Sequence, residues 1–313
     1  MRLSCVIPCY DEAENILPFF QAAEEALAPW AGEYELIFVD DGSRDDTLPA
    51  LEELYRSAPD RVRVVSFTRN FGKEAAIYAG LRRCTGEFAA LIDADLQQRP
   101  VYVARMLTFL QEHPEYDEVV AYQAKRHEGP LLTLCKKCFY RLSRRLTGLP
   151  FSPGGSDFRV FRRNVLEAIL SLPERVRFSK GIFAWLGFPT YRMPYQVEDR
   201  ASGTTKWSLR RLTRYALEGI ASFSARLLLL PLAAGLFLSL AAAVLAAVLG
   251  ILSAAGSLSL SGTGWLALLI LFLAGLQLQG LGLVGFYLSQ LFTEAKGRPV
   301  YVERVTLPEE EQT

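Results

Sequence analysis

Over the first 122 residues, five short apolar runs alternate with four segments of helical periodicity. The apolar runs are 3–8, 35–39, 62–67, 88–92 and 118–122, and the helical segments are 13–28, 46–57, 73–84 and 101–112. This alternation predicts βαβ units and a mainly parallel sheet, an α/β fold. Runs that are apolar almost throughout fit strands covered on both faces. Ligands of such sheets gather outside the carboxyl ends of the strands. Three polar clusters fall at such ends: Pro8-Cys9-Tyr10-Asp11-Glu12, Asp40-Asp41-Gly42-Ser43 and Asp93-Ala94-Asp95. Three clusters on one edge constrain function far more than any one of them.

Asp93-Ala94-Asp95 is the sharpest of the three. Two carboxylates at the mouth of a buried strand cost stability unless something cationic uses them. Hard oxygen ligands at this spacing suit Mg²⁺ or Mn²⁺ carrying a diphosphate. A lone D-x-D equally fits a solvated strand-end turn, so its neighbours decide.

Composition narrows the classes. The 313 residues suffice for one α/β domain with extra elements, and 34 basic side chains balance 34 acidic ones. That neutrality argues against a general nucleic-acid binder. It conceals an asymmetry, with basic residues crowded at 136–145 and 200–214. The five cysteines (Cys5, Cys9, Cys84, Cys135, Cys138) have no disulfide-framework spacing and fit a reducing compartment. Cys135 and Cys138 form a CxxC without a second pair or a nearby histidine, which reads better as two small residues on one helix face than as a zinc site. Only His113 and His127 occur, both in loop or helix-end positions, so histidine-based catalysis is not expected. Met1 leads straight into the first strand without the features of a signal peptide, which places this part of the chain in the cytosol.

The second half changes character. Residues 131–146 read as a basic amphipathic helix, and 207–225 repeat the pattern. Such helices can lie in an anionic membrane interface, or pack on the protein with a solvated basic face. We expect Arg141, Arg144, Arg145, Arg210 and Arg211 to dock at the membrane. Leu227–Leu252 and Trp265–Leu291 contain no charge, and each exceeds the ~20 residues a helix needs to cross a bilayer. The expected organisation is a catalytic domain over 1–206, a juxtamembrane helix over 207–225, two spans within 226–291 joined by an external loop 253–264, and a tail 292–313. Basic residues flank both runs and are missing from the short loop, which puts both termini in the cytoplasm. Gly275, Gly280, Gly282 and Gly285, with Gln277 and Gln279, favour close helix packing, so a homo-oligomer is expected.

The series CVIPCYDEAENI, ELIFVDDGSRDDT, RNFGKEAAIYAGL, GEFAALIDADLQQRP, GSDFRVFRRNV, RFSKGIFAWLGF and DRASGTTKWS resembles the family 2 glycosyltransferases of GT-A fold. It is most similar to the polyprenyl-phosphate glycosyltransferases, among them the bactoprenol glucosyltransferases and dolichol-phosphate mannose synthases. The resemblance runs from about residue 3 to 215, and the paired apolar runs match the bacterial type. It implies inverting sugar transfer from a nucleotide donor to a lipid phosphate. On this resemblance Pro8, Tyr10 and Glu12 would line the nucleotide pocket, and Val39 and Asp41 would hold the base. Asp93 and Ala94 would lie against the ribose, and Asp93, Asp95 and Gln97 would bind Mg²⁺ or Mn²⁺. Arg200 and Lys206 would hold phosphates, and Asp157 stands where the family has its third acidic residue. Where mannose synthases carry an arginine after the fifth strand this chain has Gln123, so Lys125 or Arg126 would take over the acceptor phosphate.

The chemistry agrees with this. Breaking a sugar–diphosphate bond loads charge on the leaving group, so cations are the chief need. A lipid phosphate has a second pKa near ~6 and needs aiming more than deprotonation. Asp157 therefore remains open as a base, as an orienting group, or as a partner of Arg159. The expected donor is a UDP-sugar, glucose foremost, and the acceptor undecaprenyl phosphate in a lipid bilayer, serving cell-envelope glycosylation. The alternatives are a GDP-mannose enzyme, a processive polysaccharide synthase, and a non-catalytic nucleotide-sugar binder. No Q-x-x-R-W motif supports the processive alternative.

Overall fold

The computed structural model describes residues 2–123, 155–175, 177–195 and 262–308, together with Val244 and Val248. The first strands form where the sequence is most continuously apolar. They are β1 (Leu3–Cys9), β2 (Tyr34–Asp40), β3 (Val62–Phe67), β4 (Phe88–Leu91) and β5 (Glu118–Gln123). Between them run α1 (Ala13–Leu27), α2 (Thr47–Ser57), α3 (Lys73–Arg83) and α4 (Val101–Glu112). Then follow β6 (Gly155–Arg162), α5 (Arg163–Ser171), α6 (Ser179–Leu186) and β7 (Thr190–Tyr195). The helix α7 (Gly262–Ala295) and the strand β8 (Glu303–Leu307) close the described chain.

Among the described residues eight strands form one sheet in the order β7-β5-β6-β4-β1-β2-β3-β8. The expectation of a mainly parallel sheet needs correction at two places. β6 runs antiparallel to both β4 and β5, and β8 runs antiparallel to β3. The sheet is mixed because neither strand is reached by a simple βαβ crossover. The reversal of β6 has a consequence for the site. Its first residues, not its last, lie at the edge where β1, β2 and β4 end.

Alternation along β1 sends Leu3, Cys5, Ile7 and Cys9 into the core shared with Ile16, Phe19 and Phe20 of α1 and with α4. Val6 points the other way, onto α3. There Gly80 lies so close that a Cβ would sit 2.3 Å from Val6 Cγ1. Every residue of β2 is buried, as the two-sided covering requires.

The chain divides into two compact units, Met1–Arg214 with Pro299–Thr313, and Tyr215–Arg298. The segment expected as a tail thus supplies a strand: β8 pairs with β3 in the register Val64↔Leu307, Val65↔Thr306 and Ser66↔Val305. Tyr301 stacks on Phe67 at 4.9 Å between ring centroids, and Arg83 Nη2 donates to both oxygens of Glu303 at 3.0 and 2.8 Å.

In the second unit, α7 runs unbroken for 34 residues with Glu294 as its one charged side chain. It begins at Gly262, so it takes in the last three residues of the expected loop 253–264. Counted over the described side chains, no helix is long and apolar enough to cross a membrane. The helices expected at 131–146 and 207–225 lie outside the described residues, as does the run Leu227–Leu252 apart from Val244 and Val248.

Candidate active site

Four segments meet at the carboxyl edge of the sheet: the loops after β1, β2 and β4, and the start of β6. The first two are laced together. Asp11 N donates to Ser43 Oγ at 2.9 Å and Glu12 N to Thr47 Oγ1 at 2.8 Å. In return Arg44 N donates to Asp11 Oδ1 at 2.8 Å. Asp45 accepts from Thr47 N and Oγ1 and from Ala13 N. Although burial opposes its charge, those hydrogen bonds hold the Asp45 carboxyl below its ordinary range.

Asp40 and Asp41 brace the loop from within. Asp40 accepts from Ser66 Oγ at 2.7 Å and from Ser43 N at 3.0 Å. Asp41 turns to the segment before α3 and accepts from Phe71 N at 2.7 Å and Gly72 N at 2.9 Å. Burial pushes the Asp41 carboxyl up to about 6, against the pull of those two N–H groups. Gly42 completes the approach. Its φ is +64°, and a Cβ there would lie 2.3 Å from the carbonyl carbon of Arg69, so only glycine fits. Asp41 thus serves the protein's own backbone. Val39 is wholly buried in β2, and Pro8 pairs with it across the β1–β2 ladder. Tyr10 and Glu12 lie in the loop that follows, where Glu12 accepts from Asn15 Nδ2 at 2.6 Å.

The turn after β4 is wound tightly. Leu96 takes a left-handed backbone, φ 58°, which costs a bulky residue appreciable strain. Among the described residues the other non-glycine case is Asp11, φ 52°, in the neighbouring loop. Gln98, nearly fully buried, folds back on the turn. Its Oε1 accepts from Asp93 N at 3.1 Å, and its Nε2 donates to Asp93 Oδ2 at 3.3 Å. Gln97 N donates to Asp95 Oδ1 at 3.2 Å, and Ala94 is buried beneath the turn.

Lys73, which sequence reasoning passed over, joins this turn to β6. Its Nζ donates to Asp93 Oδ1 at 2.5 Å and lies 3.5 Å from Asp157 Oδ2. Burial alone would lower the Lys73 pKa, but the two carboxylates more than offset it and the ammonium is held well above its ordinary value. Burial would likewise raise Asp157, yet Lys180, Lys73 and Arg159 together hold its carboxyl below the usual range. The Asp157 side chain is only 17% exposed, and its Oδ1 is buried without a hydrogen-bond partner. Arg159 acts on the Asp157 charge and also has partners of its own. That guanidinium reaches Glu118 Oε2 at 3.4 Å, and its Nε donates to the Asp157 carbonyl at 3.4 Å.

Sequence did carry one local signal for Lys73. It is the first residue of α3, where the helix dipole disfavours a cation, so a lysine there needs anions to face. Lys180 is the second residue of α6. The expected Arg200 and Lys206, Lys125 and Arg126, and the docking set Arg141, Arg144, Arg145, Arg210 and Arg211 lie outside the described residues.

Among the described residues no three His, Cys, Asp or Glu side chains gather closely enough to hold a metal ion by themselves. The donor chemistry still fits a hard divalent cation. Mg²⁺ commonly takes one or two carboxylates and completes its shell with substrate phosphates and water, and Asp93 and Asp95 could supply the carboxylates.

The chain is similar to known proteins over most of its length. The model of glycosyl transferase family 2 matches residues 4–170. An uncharacterized glycosyltransferase of Synechocystis sp. is 38% identical over 307 residues, covering 96% of this chain and 94% of its own. A prophage bactoprenol glucosyl transferase homolog of Escherichia coli is 34% identical, covering 96% and 98%. The bactoprenol glucosyl transferase of Shigella phage SfX is 35% identical, again covering 96% and 98%. Among solved structures, glucosyl-3-phosphoglycerate synthase of Mycobacterium tuberculosis superposes with a TM-score of 0.51 at 21% identity, covering 71% of this chain and 78% of its own, a likeness of fold.

Proposed function

This chain belongs to glycosyl transferase family 2 and is a glycosyltransferase, and on that premise we propose that it transfers glucose from UDP-glucose to a polyprenyl phosphate, with inversion, at the cytoplasmic face of the plasma membrane. The observation that carries the reading is the meeting of Asp93 and Asp157 around Lys73 at the carboxyl edge of the sheet, with Asp95 in the same turn as Asp93. Relatives named bactoprenol glucosyl transferases, at about one third identity over nearly the whole chain, support the choice of acceptor and sugar. The two uncharged runs with their basic flanks support a membrane location with both termini in the cytoplasm.

In this reading Asp93 and Asp95 hold a divalent cation, Mg²⁺ or Mn²⁺, on the donor diphosphate. When bound, that ion neutralises the charge accumulating on the leaving UDP. The loops that follow β1 and β2, with Tyr10 and Glu12 in the first and Asp41 bracing the second from within, wall the nucleoside. Their cross-bracing keeps the pocket formed before the donor arrives, which lowers the ordering cost of binding. Arg200 and Lys206 would neutralise phosphate charge from the segment that follows β7, and Lys125 or Arg126 would face the acceptor. Asp157 stays ionised and is a weak base, because three cations favour its carboxylate. A dianionic phosphate nucleophile asks for little more than aim. Asp157 therefore orients the acceptor or its neighbouring cations rather than removing a proton.

The test is transfer by purified protein in detergent, with undecaprenyl phosphate, Mg²⁺ or Mn²⁺, and a panel of labelled UDP- and GDP-sugars. We expect a lipid-extractable product from UDP-glucose, reduced about 100-fold or more in Asp95→Ala, the scale of losing one charge-stabilising group. Nucleotide binding without lipid product from any donor would sink the acceptor assignment.

A further inference from the structure

We propose that Lys73 is an exchangeable counterion of the donor site: it competes with the divalent cation for Asp93 Oδ1 and, once displaced, supplies its charge to the incoming diphosphate. The inference deepens the proposed reading and rests on its cation site. It begins with the placement of the ammonium. Lys73 opens α3 directly after Gly72, whose φ is +103° and whose N–H is held by Asp41. A lysine at this helix position works against the dipole and finds its compensation in two carboxylates. These come from different strands, Asp93 at the end of β4 and Asp157 at the start of β6.

One oxygen decides the chemistry. Asp93 Oδ1 lies 2.5 Å from the lysine Nζ, while Asp93 Oδ2 accepts from Gln98. A divalent ion binding a carboxylate sits about 2.1 Å from its oxygen. An ammonium bonded to the same oxygen would stand only about 4 Å from that ion, where a dication and a monocation repel strongly. Cation entry therefore moves Lys73 off Asp93. Asp157 remains as its partner, and the buried, unpartnered Oδ1 of Asp157 gives that carboxylate spare accepting capacity beside it. The diphosphate that comes with the cation is the anion the released ammonium meets.

The neighbouring residue shows how the movement can be kept local. Glu74 does not turn into the site. Its Oε2 accepts from Ser179 N at 2.8 Å and from Ser179 Oγ, tying α3 to the start of α6. Asp41 ties the other side of the same turn through Phe71 and Gly72. The helix start is pinned on both flanks, while the Lys73 side chain, 37% exposed, retains room to swing.

The experiment measures Mn²⁺ binding to the full chain in detergent, from the electron paramagnetic resonance signal of free Mn²⁺, with and without UDP. Circular dichroism serves as the fold control. Lys73→Met should bind Mn²⁺ alone at least about fivefold more tightly than wild type, the low end of usual site-to-site coupling. Lys73→Arg, which keeps the charge, should return the affinity towards wild type. With UDP present the gain in Lys73→Met should shrink or reverse, because the diphosphate loses its ammonium. A purely structural lysine predicts weaker or unchanged Mn²⁺ binding in Lys73→Met, and either result overturns the proposal while leaving the cation site standing. Should Lys73→Met fail to fold, Asp157→Asn decides. It leaves Lys73 to Asp93 alone and should weaken Mn²⁺ binding about fivefold or more, and unchanged binding would overturn the idea. Wild type that binds no Mn²⁺ even with UDP would bring down the cation reading, and this proposal with it.

Discussion

Asp41 shows how a carboxylate can be conscripted by the backbone beside a ligand pocket. It is nearly fully buried and accepts from Phe71 N and Gly72 N, fixing the loop from which Lys73 projects. Its folded pKa of about 6 lies above the ordinary 3.8, burial being the larger cause. A raised carboxyl pKa means that the folded state holds a proton the unfolded state has already released. The stability from this group is therefore greatest at acid pH, falls as pH rises from near 3.8 through about 6, and is level above that. Asp41→Asn has no such titration. We expect the stability of wild type relative to Asp41→Asn to drop between about pH 4.5 and pH 7, read from denaturant midpoints at each pH. A constant difference across that window would contradict the assignment. The resemblance to known enzymes pointed to Asp41 as a base-binding group. Which protein groups it accepts from was not legible, because Phe71 and Gly72 lie beyond an intervening helix and strand and nothing in DDGS names them.

At the scale of elements, β8 is the least expected piece of the sheet. Strands β1 to β5 were legible because each is a short, nearly continuous apolar run. β6 alternates Phe158, Val160 and Phe161 with charged residues, and β7 is half-exposed and contains Pro194, so neither carries the pattern of a two-sided buried strand. β8 is five residues long and follows a 34-residue apolar helix, whose composition dominates any window around it. Its place is nonetheless well fixed. It covers the edge of β3, Tyr301 stacks on Phe67, and Arg83 grips Glu303. An uncovered β3 would present unpaired N–H and C=O groups to any other chain. Truncation after Arg298 should therefore lower the unfolding temperature of the catalytic unit and raise its tendency to associate. Thermal unfolding and size-exclusion chromatography of the detergent-solubilised variant would show both. A monodisperse truncation with unaltered melting would mean that β8 is dispensable to the sheet.

For the molecule as a whole, the pairing of β8 with β3 bears on membrane topology. Both strands belong to one unit, so the chain that leaves it at Arg214 and re-enters at Pro299 must end on the side where it began. Any bilayer crossings between those points are even in number. Zero and two both satisfy that parity, and the membrane location proposed above takes two, one for each uncharged run. If both runs cross, as proposed, the basic clusters flanking them lie on the same side of the bilayer as the catalytic unit, the side on which the proposed polyprenyl phosphate acceptor would be met. If Arg210 and Arg211 serve that docking, reversing their charge should act on the lipid reaction and leave the nucleotide pocket alone. Each basic residue near an anionic surface contributes about 1 kcal/mol, so Arg210→Glu with Arg211→Glu should slow transfer roughly tenfold or more in anionic vesicles. UDP affinity, measured by calorimetry, should stay within about twofold of wild type, because these side chains would touch lipid headgroups and not donor. Raising salt should slow the wild type and narrow its advantage over the variant, since surface attraction is screened within a Debye length. Equal loss of lipid transfer and UDP binding would place these arginines in the donor site or in the fold, and would remove the electrostatic account of how the acceptor is recruited.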